Sequence, residues 1–137
     1  MEEQVHVAGC VLLDDYGRIL LLHRNFGETG LWYLPGGKLE EEETPEAAAV
    51  REISEELGVS VRLARKLGEE AFEHEDTAYI FYWYLAEVIG GELHIAEPEL
   101  FDDLDYVEIE DLASLALSAG TEIIHHKLVS GEVDLYA

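Results

Sequence analysis

Glu52, Glu55 and Glu56 stand three and four residues apart in the run Arg51-Glu52-Ile53-Ser54-Glu55-Glu56-Leu57-Gly58-Val59. On a helix that spacing gathers their carboxylates on one side, where like charges repel by a few tenths of a kcal/mol per pair. They also fall near the helix C-terminus, the negative pole of the backbone dipole, which favours Lys, Arg or His. Only Arg51 offsets the charge locally. A solvated acidic face is the plainer account of such a helix, but it leaves these penalties standing. A divalent cation reverses each of them, and hard oxygen ligands select Mg²⁺ or Mn²⁺. Carboxylates holding such an ion can neutralise phosphate oxygens and acidify a water aimed at phosphorus. The run offers no nucleophile with a base beside it; Ser54 falls on the core-flanking side of the helix. Water attack on a diphosphate is therefore the economical chemistry.

The helix that must carry these acids is well marked. Thr44 can cap it, Pro45 suits its first position, and Gly58 suits the left-handed residue that ends it. At about 100° per residue, Ala47, Val50, Ile53 and Leu57 form an apolar stripe, with the three glutamates on the roughly opposite arc.

Gly37, then Glu43 after five residues, then Arg51 to Val59 after seven more, resembles the signature box of the Nudix hydrolases at every defined position. Leu34-Pro35-Gly36-Gly37-Lys38 leads into it in the same manner. The resemblance implies an α/β fold, an α/β/α sandwich with a mixed sheet, and cleavage of a nucleoside diphosphate linked to another group. It implies Glu55 and Glu56 as principal metal ligands, Glu52 as the ligand or base beside them, and Arg51 with Glu43 as the supporting ion pair. Gly36 and Gly37, without side chains, let the backbone approach the metal, Gly36 offering a carbonyl. In many relatives a downstream acid completes the site; Glu97, Glu99, Asp102, Asp103 and Asp105 all qualify here. Two other readings share the fold: a catalytically silent nucleotide-sugar sensor, and an isoprenoid diphosphate isomerase, for which Cys10 is poorly placed. An acidic interaction protein indifferent to Mg²⁺ is the alternative outside the family.

Substrate contacts are less marked. Arg24 and Lys38 are candidates for phosphate contacts or surface ion pairs. Trp32, Phe72 and Tyr82 could stack on a base or fill the core. Glu40, Glu41 and Glu42 suit a solvated loop. His125-His126 lacks the spacing of a helical metal pair, and His74 falls in a turn with no assigned function.

The remaining elements follow from alternation and turn residues. Val5–Leu13 and Ile19–His23 read as a hairpin around Asp14 to Gly17, with a glycine-containing loop at Asn25–Gly30. Val61–Phe72 and Tyr79–Val88 read as strands, Leu93–Ile95 as a short extended piece, and Glu97–Asp105 as an acidic segment before a strand at Tyr106–Ile109. Asp111–Leu117 and Ile123–Val129 read as helices.

Composition bounds the rest. The 137 residues carry 8 basic and 31 acidic side chains, a net charge of −23, which argues against nucleic acid or an anionic membrane as partner. A small-molecule nucleotide is the expected partner; the sequence is neutral on a homodimer. No linker or repeat divides the chain, so residues 1–137 read as a single domain. The acidic start lacks a signal peptide's pattern, so a cytoplasmic setting is expected. Cys10, the single cysteine, excludes an internal disulfide and reads as a buried thiol.

Overall fold

Alternation in Gln4–Leu12 makes β1, and Asp14 shapes the turn that follows by accepting the backbone N–H groups of Tyr16 and Arg18, each at 2.9 Å. The computed structural model describes residues 3–25 and 30–136; most of the Asn25–Gly30 loop, residues 26–29, lies outside them. Beyond the turn, Ile19–Arg24 forms β2. The expected hairpin does not form: β1 and β2 join different sheets and share only the bridge Leu13 to Ile19. Strand β1 pairs antiparallel with β4 (Gly36–Lys38) through Val7–Gly9 and, along its other edge, parallel with β6 (Thr77–Gly90) through all of Gln4–Leu12.

The larger sheet is completed by β5 (Ser60–His74), giving the order β4-β1-β6-β5. The smaller, antiparallel sheet has β2 between β3 (Trp32–Tyr33) and β7 (Phe101–Val107). Most of β7 falls in the acidic segment 97–105, so the strand starts earlier than its sequence suggests and ends at Val107. Pairing with β2 outweighs the poor strand propensity of aspartate: Phe101 is buried while Asp102, Asp103 and Asp105 face solvent. Leu93–Ile95 joins no sheet, Asp111–Leu117 is replaced by a 3-10 helix at Ile109–Ser114, and the terminal helix α2 begins at Ala119 and runs to Ser130.

Helix α1, Pro45–Leu57, is capped as its residues dictate: Thr44 Oγ1 accepts the Ala47 N–H at 3.1 Å, and Gly58 closes it at φ 69°. Its burial differs from the expected stripe. Ala48, Ala49, Ile53, Leu57 and also Glu56 are buried, whereas Ala47 and Ser54 are exposed. The helix packs on β1 and β5 beneath it and on β4 beside it, so part of the acidic arc is packed as well.

Alternation in β6 separates two cores. Tyr84 and Ala86 join Ala8, Cys10 and Leu12 beneath α1, while Trp83 joins Val11, Leu21 and Ile124 on the face covered by α2. Helices on both sides of mixed strands make the expected α/β/α sandwich. Cys10 is buried, and burial first, then the charge of Glu56, pushes its thiol up to about 12. No helix among the described residues is long and apolar enough to cross a membrane.

Candidate active site

The Leu34–Lys38 segment brings the glutamates to order. Gly36 packs against β1 so closely that a Cβ would lie 2.3 Å from Ala8 O, so only glycine fits. A Cβ on Gly37 would lie 2.4 Å from Glu52 Cδ, so the Glu52 carboxylate lies directly against the backbone. The Gly36 N–H donates to Glu56 Oε1 at 2.8 Å.

Arg51 binds the acidic loop to the helix. Its Nε and Nη2 donate to Glu43 at 2.8 and 3.0 Å, Nη2 also donates to Lys38 O at 3.0 Å, and Nη1 reaches Glu52 Oε1 and Glu55 Oε2, each at 3.1 Å. These bonds hold the Glu43 carboxyl down at about 2. Glu40, Glu41 and Glu42 are exposed.

Glu56 is the most buried carboxyl of the group. It is 5% exposed, and burial first, then the charge of Glu52, raises its pKa well above the usual carboxylate value; the Gly36 N–H opposes this, and Glu97 and Glu55 add to it. Burial likewise raises Glu52, against the opposing pull of Arg51. Glu97 is also raised, by burial and by Glu55.

Among the five downstream acids, Glu97 is the one whose charge bears on Glu52 and Glu56. Its position follows from a strap across the C-terminus of α1, where the N–H groups of His94 and Ala96 donate to the carbonyls of Leu57 and Glu56 at 3.0 and 2.9 Å. Asp102 instead meets His23 Nδ1 at 2.6 Å, Asp103 accepts the Leu104 N–H, and Asp105 lies on β7 opposite Leu21.

A buried carboxylate with one N–H donor and like-charged neighbours lacks positive charge, and carboxylate oxygens beside a closely approached backbone suit a hard divalent cation. The residues present therefore fit such an ion. As the side chains stand, no three His, Cys, Asp or Glu groups among the described residues converge on one point; Arg51 Nη1 engages Glu52 and Glu55.

Beside this cluster opens a cavity of about 300 Å³. Gly36, Gly37 and Lys38 form the side nearest the glutamates, Phe72, Tyr79 and Phe81 supply aromatic wall, and Arg24 and His74 add nitrogen groups. Arg24 also lies over the Tyr33 ring at 5.2 Å. Of the candidate substrate residues, Arg24, Lys38 and Phe72 line this space. Trp32 and Tyr82 do not. Trp32 packs on His23, with ring centroids 4.8 Å apart; Tyr82 lies on the α1 face of β6, its hydroxyl 2.9 Å from His6 Nδ1. The even spacing of Tyr82 and Tyr84 could have revealed that shared face.

Sequence reasoning missed His74 and the first turn of α2, where Ser118, Ala119 and Gly120 also line the cavity. His74 closes β5 and is not in a turn. His125 is buried and His126 exposed, with rings 5.8 Å apart, as packing and solvation suggest. A wider depression of about 620 Å³ lies toward the other end of β1, lined by Leu12, Asp14, Tyr106 and Tyr136, and no box residue reaches it.

Residues 4–128 match the family model of the NUDIX domain, so the chain belongs to the Nudix hydrolases. Within that family it is a pyrophosphohydrolase, a class that generally works with a divalent metal. An 8-oxo-dGTP diphosphatase of Proteus vulgaris is 32% identical over 94 residues, which are 67% of this chain and 84% of that protein. Diphosphoinositol polyphosphate phosphohydrolase 2 of Homo sapiens is 47% identical over 57 residues; these are 42% of this chain and only 31% of that protein. The crystal structure of a MutT NUDIX hydrolase from Burkholderia pseudomallei superposes with a TM-score of 0.83 at 32% identity, covering 93% of this chain and 99% of the other.

Proposed function

We propose that this chain uses Mg²⁺, with Mn²⁺ as substitute, to hydrolyse a nucleoside triphosphate or nucleotide sugar by water attack at phosphorus. The observation that carries this reading is the buried, charge-deficient Glu56 among Glu52, Glu55 and Glu97, directly beside a cavity with aromatic walls and cationic groups. When bound, the cation supplies positive charge to phosphate oxygens and lowers the pKa of the attacking water.

The protein's own groups supply the rest. Glu52, Glu55 and Glu56 hold the ion with the Gly36 backbone, and Glu97 completes the set. A carboxylate of this group would take a proton from water as the water oxygen bonds to phosphorus and the phosphoanhydride P–O bond breaks, the bridging oxygen leaving with the other phosphate product. Arg51 and Glu43 fix the loop against the helix so that these oxygens keep their places. Arg24 and Lys38 contact the phosphates, and Phe72, with Tyr79 and Phe81, offers ring faces to the base. The apolar walls predict tolerance among bases, and the net charge of −23 disfavours a long nucleic-acid substrate.

Because the Proteus vulgaris relative is named an 8-oxo-dGTP diphosphatase, 8-oxo-dGTP is the first compound to test in a panel that also holds ordinary nucleoside triphosphates, nucleotide sugars and dinucleoside polyphosphates. Measuring kcat/KM for each with Mg²⁺ in ¹⁸O-water identifies both substrate and attacked phosphorus. Binding of a nucleotide sugar without turnover, or hydrolysis only of a non-nucleotide diphosphate, would refute the reading.

A further inference from the structure

The first turn of α2 grips the loop that serves the glutamates, and it does so through one side chain. Thr121 is 2% exposed, and its Oγ1 accepts the Leu34 N–H at 3.0 Å and the Ser118 hydroxyl at 2.8 Å. Around it, the Ser118 N–H donates to Trp32 O at 3.0 Å and the Trp32 N–H to Ala116 O at 2.8 Å. Leu34 is followed by Pro35, which has no N–H to donate, and then by Gly36, whose N–H meets Glu56. The Leu34 N–H is thus the last amide anchor from the α2 side before the active-site contact. On its other side the loop is tied by the Cys10 N–H, which donates to Pro35 O at 2.9 Å.

The start of the helix approaches the sheet closely: a Cβ on Gly120 would lie 2.4 Å from Phe81 Cε2, so only glycine fits there without a shift. Phe81 in turn stacks on the buried Trp83 with ring centroids 4.9 Å apart. A closely packed helix start, one buried hydroxyl and a short proline-containing loop therefore lead directly to the most buried carboxylate.

We propose that Thr121 is a positioning residue that sets the Leu34–Gly36 loop, and through it the Gly36 N–H and the cation affinity of the glutamate cluster. This rests on the reading of that cluster as a divalent-metal site. An isosteric loss of the acceptor lets the loop shift, so the cation loses a formed site while the nucleoside walls stay in place.

The test compares Thr121→Val with Thr121→Ser, which keeps the hydroxyl. Titration calorimetry with Mg²⁺ on the metal-free proteins should show affinity at least about fivefold weaker for T121V and within about twofold of wild type for T121S. On the best substrate of the panel, T121V should lower kcat more than it raises KM. Wild-type Mg²⁺ affinity in T121V, even with a lowered melting temperature, would reduce Thr121 to a structural role and overturn the proposal.

Amide hydrogen exchange tests the same link without metal and in the unaltered chain. Leu34 and Gly36 should open as one unit with similar protection; a protected Leu34 beside a freely exchanging Gly36 would overturn the proposal. If wild type bound no Mg²⁺ beyond the effect of ionic strength, the metal-site reading would fail and the affinity claim with it. Joint protection of Leu34 and Gly36 would in that case still support the loop-setting role of Thr121.

Discussion

Replacing Glu56 by Gln should change how the metal-free protein responds to pH, and the sign follows from the burial of that carboxyl. Glu56 in the folded chain holds its proton well above the ordinary 4.5, chiefly because it is buried. Its stabilising share is therefore complete below about 4.5 and is lost as pH rises toward the folded value, since the unfolded chain releases that proton first. One proton retained only by the native state gives a slope of about 1.4 kcal/mol per pH unit. For a chain of this size, about 4 °C of melting temperature corresponds to each kcal/mol, so the slope is about 6 °C per pH unit. Glu52 and Glu97, also raised, act in the same direction, and because their charges act on Glu56 the difference between wild type and E56Q reports Glu56 together with its coupling to them. Calorimetry in chelator between about pH 5 and 7 should show wild type losing stability faster than E56Q, and E56Q the more stable at the upper end. Parallel curves would refute the claim that an uncompensated buried carboxylate sits at this position.

The same variant should keep its fold yet lower turnover at least about a hundredfold at saturating Mg²⁺, because an anionic ligand is lost with shape preserved; wild-type turnover would show that the metal site is misplaced. Millimolar Mg²⁺ should raise the wild-type melting temperature beyond the effect of Na⁺ at equal ionic strength, and the gain should grow with concentration. Arg51→Lys cannot reproduce the paired bonds to Glu43 or the reach to Glu52 and Glu55. It should cost about 1–2 kcal/mol in urea unfolding, and an unchanged midpoint would mean that those bonds contribute nothing. Gly120→Ala forces its Cβ against Phe81 and should raise KM several-fold, as a steady-state comparison on the best substrate would show; an unchanged KM would place Phe81 outside the substrate's reach.

What the sequence disclosed is local. Thr44, Pro45 and Gly58 set the bounds of α1, and the spacing of Gly37, Glu43, Arg51 and the three glutamates defined the box; each depends on neighbours within one helix or turn. What it concealed depends on distant partners. Glu56 sits on the acidic arc of an isolated helix, and only the approach of Gly36, twenty residues earlier, turns that arc into an interior. Phe101 to Asp105 look like a charged linker until β2 supplies a ladder. Glu97 could not be separated from four other acids, because the choice is made by backbone bonds from the strap to the end of α1. Trp32 and Tyr82 are substrate candidates by residue type; Trp32 packs on His23 and Tyr82 on the α1 side of β6, and neither lines the cavity.

The parallel pairing of β1 with β6 also sets an order of assembly. Gln4 lies beside Ala78 and Leu12 beside Ala86, so in a growing nascent chain this edge of β1 must wait for residues more than seventy positions later. Until they emerge from the ribosome, β1 has only its three-residue register with β4, and its other edge is open to pairing with foreign strands. The complete glutamate box is synthesised by then, but α1 has only part of the surface that buries it. A fragment ending just after the box would contain every defined residue of the motif and still lack the enclosure that gives Glu56 its character.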